Sequence, residues 1–99
     1  MSIAEITEMI KSQAQLNAPI GATLKFKIDD DVIYLDGTGE ENQVSNEDKD
    51  ADCLISTSGD NFQKLFKGEL NPMMAVMTGK VKVKGDMGVA MKLKSLMGG

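Results

Sequence analysis

Between Met87 and Met97 the apolar side chains spread too widely for an ordinary surface helix. Stepping about 100° per residue from Met87, Met91 falls at about 40°, Leu96 at about 180°, Val89 at about 200°, Leu93 at about 240°, Met97 at about 280° and Ala90 at about 300°. Gly88, Lys92 and Ser95 take the narrow remaining sector, and Lys94 is the one polar residue inside the arc. The arc covers about 220°, against roughly 100° for a helix that buries one stripe. Such a helix needs cover on two sides. A sheet supplies one; a ligand, a membrane or a partner chain supplies the other, the plain alternative being a second protein layer, of which a 99-residue chain has few to spare.

The surrounding segment reinforces this. Six of the eight methionines, Met73, Met74, Met77, Met87, Met91 and Met97, lie in the last twenty-nine residues. Methionine is unbranched and polarizable and adapts to apolar partners of varied shape. The same end is basic. Residues 1–60 carry a charge balance of −9 and residues 61–99 one of +5, with no arginine or histidine anywhere. The acidic half argues against general nucleic-acid binding. The basic half beside the methionines suits an anionic membrane surface or a phosphate-bearing ligand. Solvated lysines with no further role are the plain alternative.

Local signals give the elements of a single domain, residues 1–99. Ser2-Ile-Ala-Glu5 is a capping box opening a helix to about Leu16. Leu24-Lys-Phe-Lys-Ile28 alternates as a half-buried strand, and Asp29-Asp30-Asp31 turns it into Val32-Ile-Tyr-Leu-Asp36. Asn42 to Ser45 is a weak third strand, Glu47 to Asp52 an acidic solvated loop, and Cys53-Leu-Ile-Ser-Thr57 a further strand. Asp60 caps a short helix with Phe62, Leu65 and Phe66 on its apolar face and Gly68 at its end. Asn71-Pro72 starts a second short helix over Met73 to Thr78. Lys80-Val-Lys-Val-Lys84 alternates as a strand, and Asp86 caps the last helix, stopped at Gly98. The order predicts an α+β fold, an antiparallel sheet with helices on one face.

The residues offer little chemistry. With no histidine, Cys53 and the serines have no base beside them, and Cys53 sits in an apolar strand. Asn46 to Asp52 lacks the glycine and distal glutamate of a calcium loop. Gly37-Thr-Gly39 lacks the helix and lysine of a phosphate loop. A non-enzymatic binder with no metal and no cofactor is expected. One cysteine and an N-terminus without a signal pattern point to a reducing compartment.

Three stretches carry a family resemblance: Ala51-Asp-Cys-Leu-Ile-Ser56; Phe62, Leu65 and Gly68-Glu-Leu-Asn-Pro72; and Gly79-Lys-Val-Lys-Val-Lys-Gly-Asp-Met-Gly-Val-Ala-Met-Lys-Leu93. In this order they resemble the sterol carrier protein type 2 family of nonspecific lipid-transfer domains. The resemblance covers residues 51–96; the first half matches in its helix–hairpin layout. It implies a five-stranded, mainly antiparallel sheet covered by helices around an apolar tunnel for fatty acid, acyl-CoA or sterol. It implies no catalysis by the domain. Family members often end in a peroxisomal signal; Met97-Gly98-Gly99 is not one, so the cytoplasm is expected. Periodicity then selects Phe66, Met73, Met74, Met77, Val81, Val83, Met87, Ala90, Met91 and Leu93 as the lipid-facing set. Lys80, Lys82, Lys84 and Lys92 are the candidates for an anionic membrane or a phosphate, with Lys64 and Lys67 extending a basic rim. A monomer with a small hydrophobic ligand is expected. The alternative is a protein-interaction module using the same apolar face.

Overall fold

The computed structural model describes residues 2–96, the side chains at positions 72 and 93–96 excepted. Helix α1 spans Ile3–Gln15 and opens on the expected capping box, with the Ser2 hydroxyl accepting from the Glu5 N–H at 3.2 Å. The Ser2 backbone N–H and hydroxyl in turn hold the Glu5 carboxyl below its usual range. Strands β1 (Thr23–Ile28), β2 (Asp31–Asp36), β3 (Gln43–Ser45) and β4 (Cys53–Thr57) follow, then α2 (Gly59–Phe66), α3 (Pro72–Met77), β5 (Val81–Gly85) and α4 (Met87–Leu96).

The strands form one sheet in the order β3-β2-β1-β4-β5. Three pairings are antiparallel, but β1 and β4 run parallel, with Leu24 opposite Cys53 and Ile28 opposite Thr57. The sheet is thus five-stranded and mainly antiparallel, as expected, with one parallel pair inside it. Strand β3 lies at one edge while β4 joins the far side of β1, so the intervening chain must cross two strands. That crossing is the acidic segment 46–52. It is exposed, as expected, but not free. Asp48 pairs with Lys25 at 3.0 Å, the Tyr34 hydroxyl donates to the Asp50 carbonyl at 3.3 Å, and Asp52 accepts from the Thr23 N–H at 3.0 Å.

Period-2 alternation sends Leu24, Phe26, Ile28, Ile33, Leu35, Cys53, Ile55 and Val81 to one face of the sheet. Ile6, Ile10 and Ala14 of α1, Phe62 and Leu65 of α2, Ala75 of α3 and Val89 of α4 close that face into one core. The Phe26 and Phe62 rings meet edge-on with centroids 6.0 Å apart.

Helix α2 starts two residues earlier than expected. Its cap is Ser58, whose extended backbone lets its hydroxyl accept from the Asn61 N–H at 3.1 Å; Asp60 sits in the first turn. The Asp29 carboxylate accepts from the Gly59 N–H at 3.0 Å, tying the β1–β2 turn to the helix start. Asn71 caps α3 as expected. Gly85, with φ +100, brings the chain so close that an added Cβ would lie 2.3 Å from the Asp52 carbonyl oxygen. The Asp86 N–H donates to that same oxygen at 2.8 Å, fixing where α4 begins. The expected stop at Gly98 lies outside the described residues.

Candidate functional site

Helix α3 is six residues long and is held by its ends. The Asn71 side chain accepts from the Met73 N–H at 2.9 Å and the Met74 N–H at 3.4 Å. At the other end Thr78 donates its hydroxyl to the Met74 carbonyl at 2.8 Å, and the Lys80 N–H reaches the Ala75 carbonyl at 2.9 Å. Among its described side chains Ala75 is the one it buries. Met73, Met74 and Met77 remain 72%, 53% and 77% exposed.

Helix α4 divides its apolar arc. Val89 is buried in the core and Ala90 packs half-buried against it. Met87 and Met91, on the other flank of the arc, are 54% and 73% exposed. The sheet thus covers one side of the arc, and the methionine side faces outward. The two helices together expose five methionines. Exposed apolar surface on this scale marks an interaction or ligand site more often than singly scattered apolar residues do.

The sequence-selected lipid set accordingly separates. Val81 is a core residue; Val83, Ala90 and Phe66 are half-buried against the core, Phe66 with its ring 6.0 Å from that of Phe62. Met73, Met74, Met77, Met87 and Met91 form the exposed group. The side chain of Leu93 lies outside the described residues.

The lysines separate too. Pairing places Lys84 opposite Leu54 and Lys82 opposite Ser56 on β4, with Lys25 and Lys27 one strand further across on β1. These lysines occupy the outer face of the sheet, opposite the helices. Lys80, Lys82 and Lys84 are all exposed, while the Lys25 ammonium is engaged by Asp48. Lys64 and Lys67 sit on α2 beside Asp60, Gln63 and Glu69, around an open polar groove of about 200 Å³. Its mixed charge makes no anion site. Lys92 is exposed on α4, and its ammonium donates to the Ile20 carbonyl at 2.6 Å, tying α4 to the segment after α1.

That segment has a centre which no sequence signal revealed. Asn42 is buried, accepts from the Ile20 N–H at 3.0 Å, and shares its amide hydrogens among the carbonyls of Ala14 (3.2 Å), Asn17 (3.4 Å) and Ala18 (3.0 Å). A Cβ on Gly37 would stand 2.6 Å from the Asn42 side-chain oxygen, so only glycine fits beside it. Asn42 and Lys92 between them engage both polar groups of the Ile20 backbone.

Cys53 is fully buried, and burial, with the Asp86 carboxylate adding to it, pushes its thiol pKa up. A raised pKa is the reverse of what a nucleophilic thiolate needs. Among the described residues no group of three His, Cys, Asp or Glu is placed to hold a metal ion. None of the described helices is long and apolar enough to cross a membrane.

The model of the SCP-2 sterol transfer family matches residues 3–98. Human sterol carrier protein 2 is 34% identical over 100 residues, covering 93% of this chain and 18% of that protein. Hydroxysteroid dehydrogenase-like protein 2 of Bos taurus is 53% identical over 47 residues, covering 48% of this chain and 11% of that protein. The chain thus spans under a fifth of the curated relatives it matches. Among solved structures, apo sterol carrier protein 2 of Yarrowia lipolytica superposes with a TM-score of 0.71 at 25% identity, covering 96% of this chain and 78% of that one. A mixed five-stranded sheet closed on one face by helices, with a family match over nearly the whole length, places this chain in the SCP-2 sterol transfer family.

Proposed function

We propose that the protein is a lipid-binding and lipid-transfer domain that holds the apolar part of a fatty acid, acyl-CoA or sterol-like lipid between α3, α4 and the helix-covered face of the sheet. The observation that carries this reading is the divided arc of α4. Val89 belongs to the core, while Met87 and Met91 face outward, and α3 exposes three more methionines. In this reading Phe66, Val81, Val83 and Ala90 form the floor of a tunnel, and Met73, Met74, Met77, Met87 and Met91 form its adjustable wall. Each square ångström of apolar surface removed from water contributes about 25 cal/mol, so an acyl chain gains more from length than from its head group. Methionine lining accepts chains of different shape, which gives weak selectivity among head groups.

The domain performs no chemistry in this reading, acts as a monomer in the cytoplasm, and meets an anionic membrane only while exchanging its ligand. Displacement of a fluorescent fatty acid by a series of saturated and unsaturated acids, acyl-CoAs and sterols tests it. Binding by acyl chains of several lengths is expected. A concentration-dependent dimer that takes up none of these lipids would instead make the methionine face a protein interface.

A further inference from the structure

The five exposed methionines have a chemical property that a leucine surface lacks. A thioether is oxidised by a hydroperoxide, and susceptibility follows exposure. The chain concentrates this reactivity. It has no tryptophan and no histidine. Its one cysteine is fully buried with its thiol pKa pushed up, so it offers no thiolate to compete for peroxide. No methionine belongs to the buried core of the described residues, and Met9 on α1 is half-buried. Oxidation can therefore strike Met73, Met74, Met77, Met87 and Met91 without touching the packing that holds the fold.

We propose that these five residues are a modification site at which a hydroperoxide switches the surface of α3 and α4 from apolar to polar and so releases the bound lipid. A sulfur lone pair attacks one peroxide oxygen. An S–O bond forms and the O–O bond breaks. Sulfur gives up two electrons, and the departing oxygen takes the proton and leaves as water or an alcohol. The reverse step needs an external dithiol reductant, which becomes a disulfide as the sulfoxide oxygen leaves as water. The sulfoxide is a strong hydrogen-bond acceptor, and lodging it against an acyl chain leaves it unpaired. The switch rests on the reading of this surface as the lipid site.

The test uses the 99-residue chain, hydrogen peroxide and dansylundecanoate as the fatty-acid ligand. Peptide mapping over a time course should place one oxygen on each of the five before Met9 is attacked. The melting temperature should move by less than about 4 °C, because the core is untouched. The dissociation constant for dansylundecanoate should rise about tenfold, or about 1.4 kcal/mol, and return on treatment with methionine sulfoxide reductases and dithiothreitol. A variant with all five replaced by leucine should bind equally before and after peroxide. Unchanged binding by the oxidised protein, an equal loss in the leucine variant, or oxidation of Met9 at the same rate with a collapsed melt would each overturn the proposal. If the untreated protein takes up no dansylundecanoate, the lipid reading fails instead. Retention on a phenyl column then decides the switch: earlier elution after oxidation supports it and unchanged elution rejects it.

Discussion

Asn42 and Cys53 are the residues whose environments reach furthest into stability. Asn42 serves the Ile20 N–H and the carbonyls of Ala14 and Ala18 from a buried position. Asn42→Ala should cost about 2–3 kcal/mol, because buried partners are left unsatisfied rather than merely unbonded. Urea unfolding should show a lower midpoint with an unchanged slope. Asn42→Asp should cost more, since it sets a carboxylate against those carbonyl oxygens; a milder loss than for alanine would mean the site admits water. For Cys53 the sign of the pH effect follows from its raised pKa. Below the ordinary thiol value of 9.0 both folded and unfolded chains keep the proton. Above it the unfolded chain ionises first, so stability falls until the pH passes the raised folded value. Urea melts between about pH 8.5 and about pH 10 should show a steeper decline for the wild type than for Cys53→Ala, the cavity cost of the substitution being common to every pH. Parallel declines would show that the buried thiol makes no such contribution.

At the scale of the element, what could be read ahead was local. Ser2 with Glu5, Asn71 with Pro72, and the alternation of Leu24 to Ile28 each contain their whole signal within a few residues, and each reappears in the fold. The cap of α2 was misplaced because Ser58 and Asp60 both offer an oxygen. The tie between Asp29 and the Gly59 N–H, made across 30 residues, accompanies the earlier start. The parallel pairing of β1 and β4 and the hub at Asn42 have no local signature at all. The width of the α4 arc was legible, but the flank meant for the sheet was not, since methionine and valine count alike in a periodicity. That division changes what a charge should do. A lysine at Met91, which lies within the arc, is expected from periodicity alone to destabilise the domain. With Met91 73% exposed, Met91→Lys should leave stability within about 0.5 kcal/mol while weakening lipid uptake. Val89→Lys should destabilise by about 3 kcal/mol or more, because it buries an unpaired charge. Thermal melts of the two variants side by side check this; equal losses would mean that both residues face the core.

Across the whole molecule, the lysines of β5 and the methionines of α3 and α4 do not share a face. Lys82 and Lys84 project from the outer side of the sheet, while the methionines of α3 and α4 belong to the helical side. A pose that lays the lysines on an anionic bilayer points the methionines away from it, so the two cannot dominate contact together. Each lysine near an anionic surface contributes about 1 kcal/mol, and the screening length of about 8 Å at physiological ionic strength reduces the share of any that stand back from it. Each methionine side chain that leaves water contributes about 1.5–3 kcal/mol when fully buried. Five partly inserted methionines therefore outweigh two lysines at that salt. The contact during lipid exchange is then expected through α3 and α4, with the lysine face toward water. Co-sedimentation with vesicles containing anionic lipid at physiological ionic strength discriminates the poses. The Lys82→Glu/Lys84→Glu pair should keep most of the wild-type binding, and Met73→Gln/Met77→Gln should lose most of it. At low salt, where the lysine attraction reaches further, the charge-reversed pair should bind visibly less than wild type. The opposite ranking at physiological salt would assign the membrane contact to the outer face of the sheet and leave the methionines to the ligand alone.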